Sequence, residues 1–203
     1  VAQGDGKLIY LIYNEDCLLE AQDLLKELNT CFDGFDEIIE KYEMERIKTI
    51  GDAYMCVGGV PNVNKTNPVN AVLAALEMQR FMHQKREDKA AQGENYWQCR
   101  LGINSGEVIA GVIGRKKFAY DIWGDTVNSA SRMESNGEAG KVNISGQTHE
   151  LVKDLFEFEH RGKINAKGKG EVDMYFVLGI KPEYSENGDG ITPNEQFWQT
   201  YNS

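Results

Sequence analysis

The chain has 203 residues, 22 basic against 32 acidic, for a formal charge of −10. No apolar run approaches the ~18 residues a membrane-crossing helix needs, and no basic and apolar leader pattern is visible, so a cytoplasmic protein is expected. Aromatics at 10% and only four prolines argue against disorder, and the acidic excess argues against a nucleic-acid surface, which needs a basic face.

Residues 8–13 (LIYLIY) form a β-rich apolar run that predicts a buried strand. From residue 18 to 42, Leu24, Leu25, Leu28, Phe32, Phe35, Ile38 and Ile39 recur at intervals of three and four, one face of a long helix. Gly34 weakens it locally. Residues 44–50 and 53–57 alternate as strands around Gly51 and Asp52, which predicts a hairpin. Residues 61–68 read as loop. Val69, Val72, Leu73, Leu76, Met78, Phe81 and Met82 predict a second helix, which gives out in the charged stretch 85–94. Residues 97–103 and 107–113 predict a second strand pair turning at Asn104, Ser105 and Gly106.

A polar loop at 114–117 leads to FAYDIW at 118–123. Residues 126–134 predict a short helix with Val127, Ala130 and Met133 inward and Asp125 as N-cap. A strand follows at 141–145, then a helix at 147–155 with Leu151 and Leu155 inward. Strands at 156–164 and 172–178 flank NAKGKG at 165–170. This order predicts an α+β fold: a ferredoxin-like βαββαβ core with a mostly antiparallel sheet, plus a smaller C-terminal α/β subdomain. One domain is expected over residues 1–180, with 181–203 a tail or an arm resting on it.

Cys17, Cys31, Cys56 and Cys99 form no CxxC pair and match no zinc spacing. Reduced, partly buried thiols are expected, and the sequons at Asn64 and Asn143 are then accidental. His83, His149 and His160 are scattered and read as surface or structural residues.

Four segments carry candidate chemistry. In KTIGD at 48–52, Asp52 sits in a tight turn, where a carboxylate is free to hold a hard cation; it equally suits an ordinary turn former. Asn128 and Arg132 are four apart on one helix face, a pair that can hold a phosphate or a ribose or simply meet solvent. Arg115, Lys116 and Lys117 form a basic cluster in an acidic chain. Lys167 and Lys169, set among glycines, can form a flexible turn or reach a phosphate.

Together, IKTIGDAYM (47–55), LGINSGEVIAGVIG (101–114), YDIWGDTVNSASRM (120–133) and NAKGKG (165–170) resemble the class III nucleotide cyclases, over about residues 24–178. The resemblance implies conversion of a nucleoside triphosphate to its 3′,5′-cyclic monophosphate and pyrophosphate, by domains that dimerise head to tail with the site across the interface. It implies two Mg²⁺ or Mn²⁺ ions, with Asp52 as one metal ligand. Lys48 and Asp121 then match the pair that reads the adenine edge, which makes ATP the expected substrate and the chain an adenylyl cyclase. Asn128 matches the ribose-orienting residue and Arg132 the residue that stabilises phosphate charge. Lys167 matches the triphosphate-contacting lysine, with Lys169 a competitor, and Lys116 a phosphate-binding cation. A homodimer is expected, and regulatory or membrane segments fused to such a domain are compatible with the resemblance.

One departure stands out. The family's first strand ends in a metal-binding Asp followed by a Gly-Phe turn, whereas residues 14–17 here are NEDC. Three readings are open: Asp16 or Glu15 replaces the ligand, the ligand is lost and the domain is weak or activates a partner, or a loop is missing near residues 13–17.

Overall fold

The computed structural model describes residues 2–13, 21–94, 96–166 and 170–201. In chain order it forms β1 (Ala2–Tyr13), α1 (Ala21–Lys41), β2 (Met44–Ile50), β3 (Ala53–Gly58), α2 (Asn67–Ala90), β4 (Cys99–Ile113), β5 (Ala119–Trp123) and α3 (Asp125–Ser135). Then follow β6 (Val142–Ser145), α4 (Gly146–Val152), β7 (Phe156–Ala166), β8 (Gly170–Ile180) and α5 (Glu195–Tyr201). The strands make one sheet in the order β2-β3-β1-β4-β6-β8-β7, with β5 paired to β4 off that path. Antiparallel pairing of β2 with β3, β3 with β1 and β1 with β4 gives the expected ferredoxin-like core. β6 joins β4 in parallel, and the antiparallel β8 and β7 extend the sheet. The fold is α+β.

Alternation along the strands sorts the core into two faces. In β3, Tyr54 and Cys56 enter the main core with α1 and α2, while Met55 and Val57 enter a second core with Ala130 of α3 and Ile122 of β5. In β4 the odd residues Cys99, Leu101 and Ile103 face the main core, and the even residues Val108 and Ala110 face the second. α1 packs by Phe32, Phe35, Ile38 and Ile39, as its periodicity predicts, and by Cys31, whereas Leu25, expected on the same face, is exposed.

The expected turn at residues 104–106 is not there. β4 runs unbroken through it, paired to β1 from Ala2 opposite Ala110 to Tyr13 opposite Cys99. Polar residues mimic a turn in the sequence, but here each is satisfied inside. Asn104 Nδ2 donates to the Thr126 carbonyl at 3.1 Å, and Thr148 donates to Ser105 Oγ at 3.0 Å. Gly106 makes room for a helix: a Cβ there would meet Thr126 Oγ1 at 2.5 Å.

Smaller differences have similar causes. α2 continues to Ala90, because its charged last turns find partners such as Glu27 for Lys89 at 2.9 Å. Asp125 is the first residue of α3 rather than its cap; Gly124 takes the cap position at φ 141°. α4 ends at Val152, so Val152 is buried and Leu151, expected inward, is exposed. The helix start expected at 18–20 lies outside the described residues. Cys31, Cys56 and Cys99 are buried thiols outside any disulfide; Cys17 lies outside the described residues.

Beyond β8 the chain folds back as an arm. Short 3₁₀ turns at Pro182–Tyr184 and Glu186–Gly188 lead into α5, whose Phe197 is fully buried edge-on to Phe156 at 5.9 Å. The Tyr201 hydroxyl donates to Asn70 Oδ1 of α2. Removing Phe197 empties a filled core position, so Phe197→Ala is expected to lower stability by about 3–5 kcal/mol in urea unfolding. A change near zero would show that the arm adds nothing to the fold.

Candidate active site

β2, β5 and α3 present the candidate residues, and each is placed by a local irregularity. In β2, Arg46 lies opposite Cys56 but Lys48 lies opposite Met55, so Ile47 is a one-residue bulge. A bulge reverses the faces of the residues that follow it. Arg46 therefore covers the main core, its guanidinium 5.3 Å from the Tyr54 ring, whereas Lys48 is sent to the face of β5 and α3. β5 turns back onto the end of β4, with Asp121 opposite Gly111. It also touches β2, although β3, β1 and β4 separate the two in the sheet.

The result is an ion pair. Lys48 Nζ donates to Asp121 Oδ2 at 2.7 Å, with the Asp121 side chain only 14% exposed. The Ile122 amide donates to Asp121 Oδ1 at 2.9 Å and holds the carboxylate in place. One carboxylate and one ammonium stand side by side, each with hydrogen-bonding capacity left over.

α3 lies directly on β4. A Cβ at Gly102 would come within 2.0 Å of the Glu134 amide nitrogen, so only glycine permits this approach. Under the helix, Arg100 Nε donates to Glu134 Oε1 at 2.6 Å, and Glu134 is fully buried. Burial pushes the Glu134 carboxyl above the ordinary carboxylate range; Arg100 draws it back, and nearby Asp52 adds to the push. Glu134 escaped the sequence reading, although an acidic residue four after the inward Ala130 was a signal of it.

Asn128 is exposed on α3. Arg132, one turn on, has a buried Nη1 with no hydrogen-bond partner among the described residues. The structure thus brings Lys48 and Asp121 together, but among the described residues it joins neither Asn128 nor Arg132 to that pair. Lys116 is exposed on the loop between β4 and β5. Lys167 and Lys169, like Glu15 and Asp16, lie outside the described residues. The histidines sit on α2, α4 and β7, which carry none of these candidates.

Asp52 is exposed on the β2–β3 turn, where Gly51 adopts φ 62°. Among the described residues no three His, Cys, Asp or Glu side chains are grouped to hold a metal ion. One turn carboxylate suits a single hard cation that keeps water and takes its other ligands from substrate phosphates. The donor set fits one Mg²⁺ or Mn²⁺ at Asp52; residues 14–17, where another carboxylate is expected, lie outside the described residues. No described helix is long and apolar enough to cross a membrane.

A family profile for the adenylate and guanylate cyclase catalytic domain matches residues 11–179. An adenylate cyclase of Mycobacterium tuberculosis is 37% identical over 159 residues, 78% of this chain and 35% of that protein. Receptor-type guanylate cyclase gcy-8 of Caenorhabditis elegans is 41% identical over 182 residues, 85% of this chain and 15% of that protein. The chain thus spans about a third or less of these relatives. The guanylate cyclase domain of RhGC from Catenaria anguillulae, solved in complex with GTP, superposes with a TM-score of 0.82 at 31% identity, covering 89% of this chain and all of that one. Relatives of both substrate types match with similar strength. The chain belongs to the class III nucleotide cyclase family, as a catalytic domain of the adenylate and guanylate cyclase type.

Proposed function

We propose that this domain converts ATP to 3′,5′-cyclic AMP and pyrophosphate as a head-to-tail homodimer. The observation that carries the choice of ATP is the Lys48–Asp121 pair at 2.7 Å. Adenine presents an acceptor at N1 beside a donor at its N6 amino group, and an ammonium next to a carboxylate complements that edge. Guanine presents the reverse, a donor at N1 beside the O6 acceptor, and would set like against like at both positions. A site built on such hydrogen bonds rejects the wrong partner strongly, because its polar groups are left unpaired.

The remaining roles follow from the residues. Arg132 offers a buried guanidinium nitrogen with no partner among the described residues, a donor for charge that grows on the reacting phosphate. Exposed Asn128, one turn earlier, orients the ribose so that its 3′-oxygen faces the α-phosphorus. The new P–O bond forms there as the bond to pyrophosphate breaks, and the hydroxyl proton passes to solvent. Lys167 and Lys116 are assigned to the triphosphate. Asp52 holds a divalent cation, with a second one expected by family analogy; such ions neutralise phosphate charge and acidify the attacking hydroxyl.

Dimerisation is supported by the β4–β5 hairpin. Ile109, Val112, Ile113, Phe118 and Trp123 are all exposed there, beside the very elements that carry Asp121 and lead into α3. Such an apolar patch marks an interaction surface. A composite site would take its metal carboxylate from one protomer and Arg132 from the other.

Two other readings have observations behind them. Guanylate cyclases match the chain as well as adenylate cyclases do, which keeps GTP as the alternative substrate. NEDC in place of the family's Asp and Gly-Phe turn favours a domain that binds nucleotide and activates a partner without turnover of its own.

Two experiments separate these readings. Lys48→Glu with Asp121→Cys is expected to shift the ATP-to-GTP ratio of kcat/KM toward GTP by about two orders of magnitude or more. An unchanged ratio would remove the pair from base recognition. Asp52→Ala and Arg132→Ala, each inactive alone, are expected on mixing to recover about a quarter of wild-type activity, since half the dimers are mixed and each has one intact site. No recovery from two folded variants would contradict a shared site.

A further inference from the structure

A cavity of about 390 Å³ opens among α2, the segment leading from residue 97 into β4, the start of β6, β8 and the C-terminal arm. It lies on the α2 face of the sheet, opposite α3, and contains none of the candidate active-site residues. Its size falls within the ~300–1,000 Å³ of ordinary small-molecule sites. Leu76, Met82, Trp97, Phe176 and Val177 give it apolar walls. Its floor is braced, because Gln79 Nε2 donates both to the Cys99 carbonyl at 3.1 Å and to the Lys141 carbonyl at 3.0 Å. Arg80 Nη1 donates to the Ile191 carbonyl at 3.3 Å and ties the arm across one side.

The charged lining has one sign. Arg80, Arg86 and Lys141 border the cavity, with His83 among them, and no Asp or Glu does, although the chain as a whole carries −10. Three of the four have acidic neighbours outside it: Glu77 lies 3.9 Å from Arg80, Glu87 3.7 Å from His83 and Glu138 2.9 Å from Lys141. Arg86 makes no ion pair among the described residues. It stands on the turns of α2 that continue past residue 85, one turn beyond Met82 and His83. The helix therefore sets an unpaired guanidinium at the mouth and apolar side chains within.

We propose that this cavity binds an amphipathic organic anion, with its apolar body against Leu76, Met82 and Phe176 and a carboxylate-like head on Arg86 and Arg80. A plain phosphate would have no use for the apolar walls, and a neutral hydrocarbon none for the guanidinium groups. The fork geometry of arginine suits the two oxygens of a carboxylate head. The site is independent of which nucleotide the domain uses.

Fluorescence titration of the purified chain with 1-anilinonaphthalene-8-sulfonate tests this, with decanoate as the competing carboxylate. Saturable one-to-one binding is expected, displaced by decanoate and unaffected by ATP. Arg86→Glu, at an exposed helix position, is expected to keep the thermal midpoint and weaken both probe and decanoate by about tenfold or more. Leu76→Trp fills the cavity without altering charge and is expected to abolish binding. Lack of saturable binding, displacement by ATP instead of decanoate, or full-strength binding by both variants would overturn the proposal. None of these readouts depends on nucleotide turnover.

Discussion

The close approach of α3 to β4 is the contact on which the rest of the site depends. It exists because the even residues of β4 that face the helix include Gly102 and Gly106, where a side chain would strike Glu134 or Thr126. Between them Asn104 holds the Thr126 carbonyl, and below them Arg100 holds Glu134. Asn128 and Arg132 are thus set at fixed heights above the sheet. The same strand, continued to Ile113, carries β5 and so delivers Asp121 to Lys48. One long strand positions both sets of candidate residues.

Much of this was legible in the sequence. The α1 stripe from Phe32 to Ile39, the β2–β3 hairpin and the inward Ala130 and Met133 are periodic, and periodicity reports burial directly. The two motifs carrying Lys48 and Asp121 were also visible, but nothing in their spacing measured the distance between them. The failures share one cause. Asn104, Ser105 and Gly106 have turn chemistry, and only tertiary partners show that they are buried acceptors, donors and a clearance for a helix. The bulge at Ile47 was equally hidden, since a bulge is defined against a partner strand. Likewise the charged end of α2 read as a helix breaking up, whereas side-chain pairing extends it.

The acidic composition takes on a sharper meaning. A charge of −10 spread over the surface opposes a polyanion such as nucleic acid, yet it leaves room for small basic sites. Two regions collect cations for different chemistries. Arg132 on α3 carries the buried donor proposed for a triphosphate; Arg80 and Arg86, across the sheet, border an apolar cavity suited to an organic anion. The domain's charge is patterned, and the pattern rather than the total decides what it can hold.

Base choice is the claim on which the proposed activity turns. The most direct measurement gives the purified domain equimolar ATP and GTP with Mn²⁺ and quantifies both cyclic products by mass spectrometry. An ammonium beside a carboxylate at the base edge predicts cyclic AMP in excess over cyclic GMP by about a hundredfold or more. Cyclic GMP in equal or greater amount would contradict it.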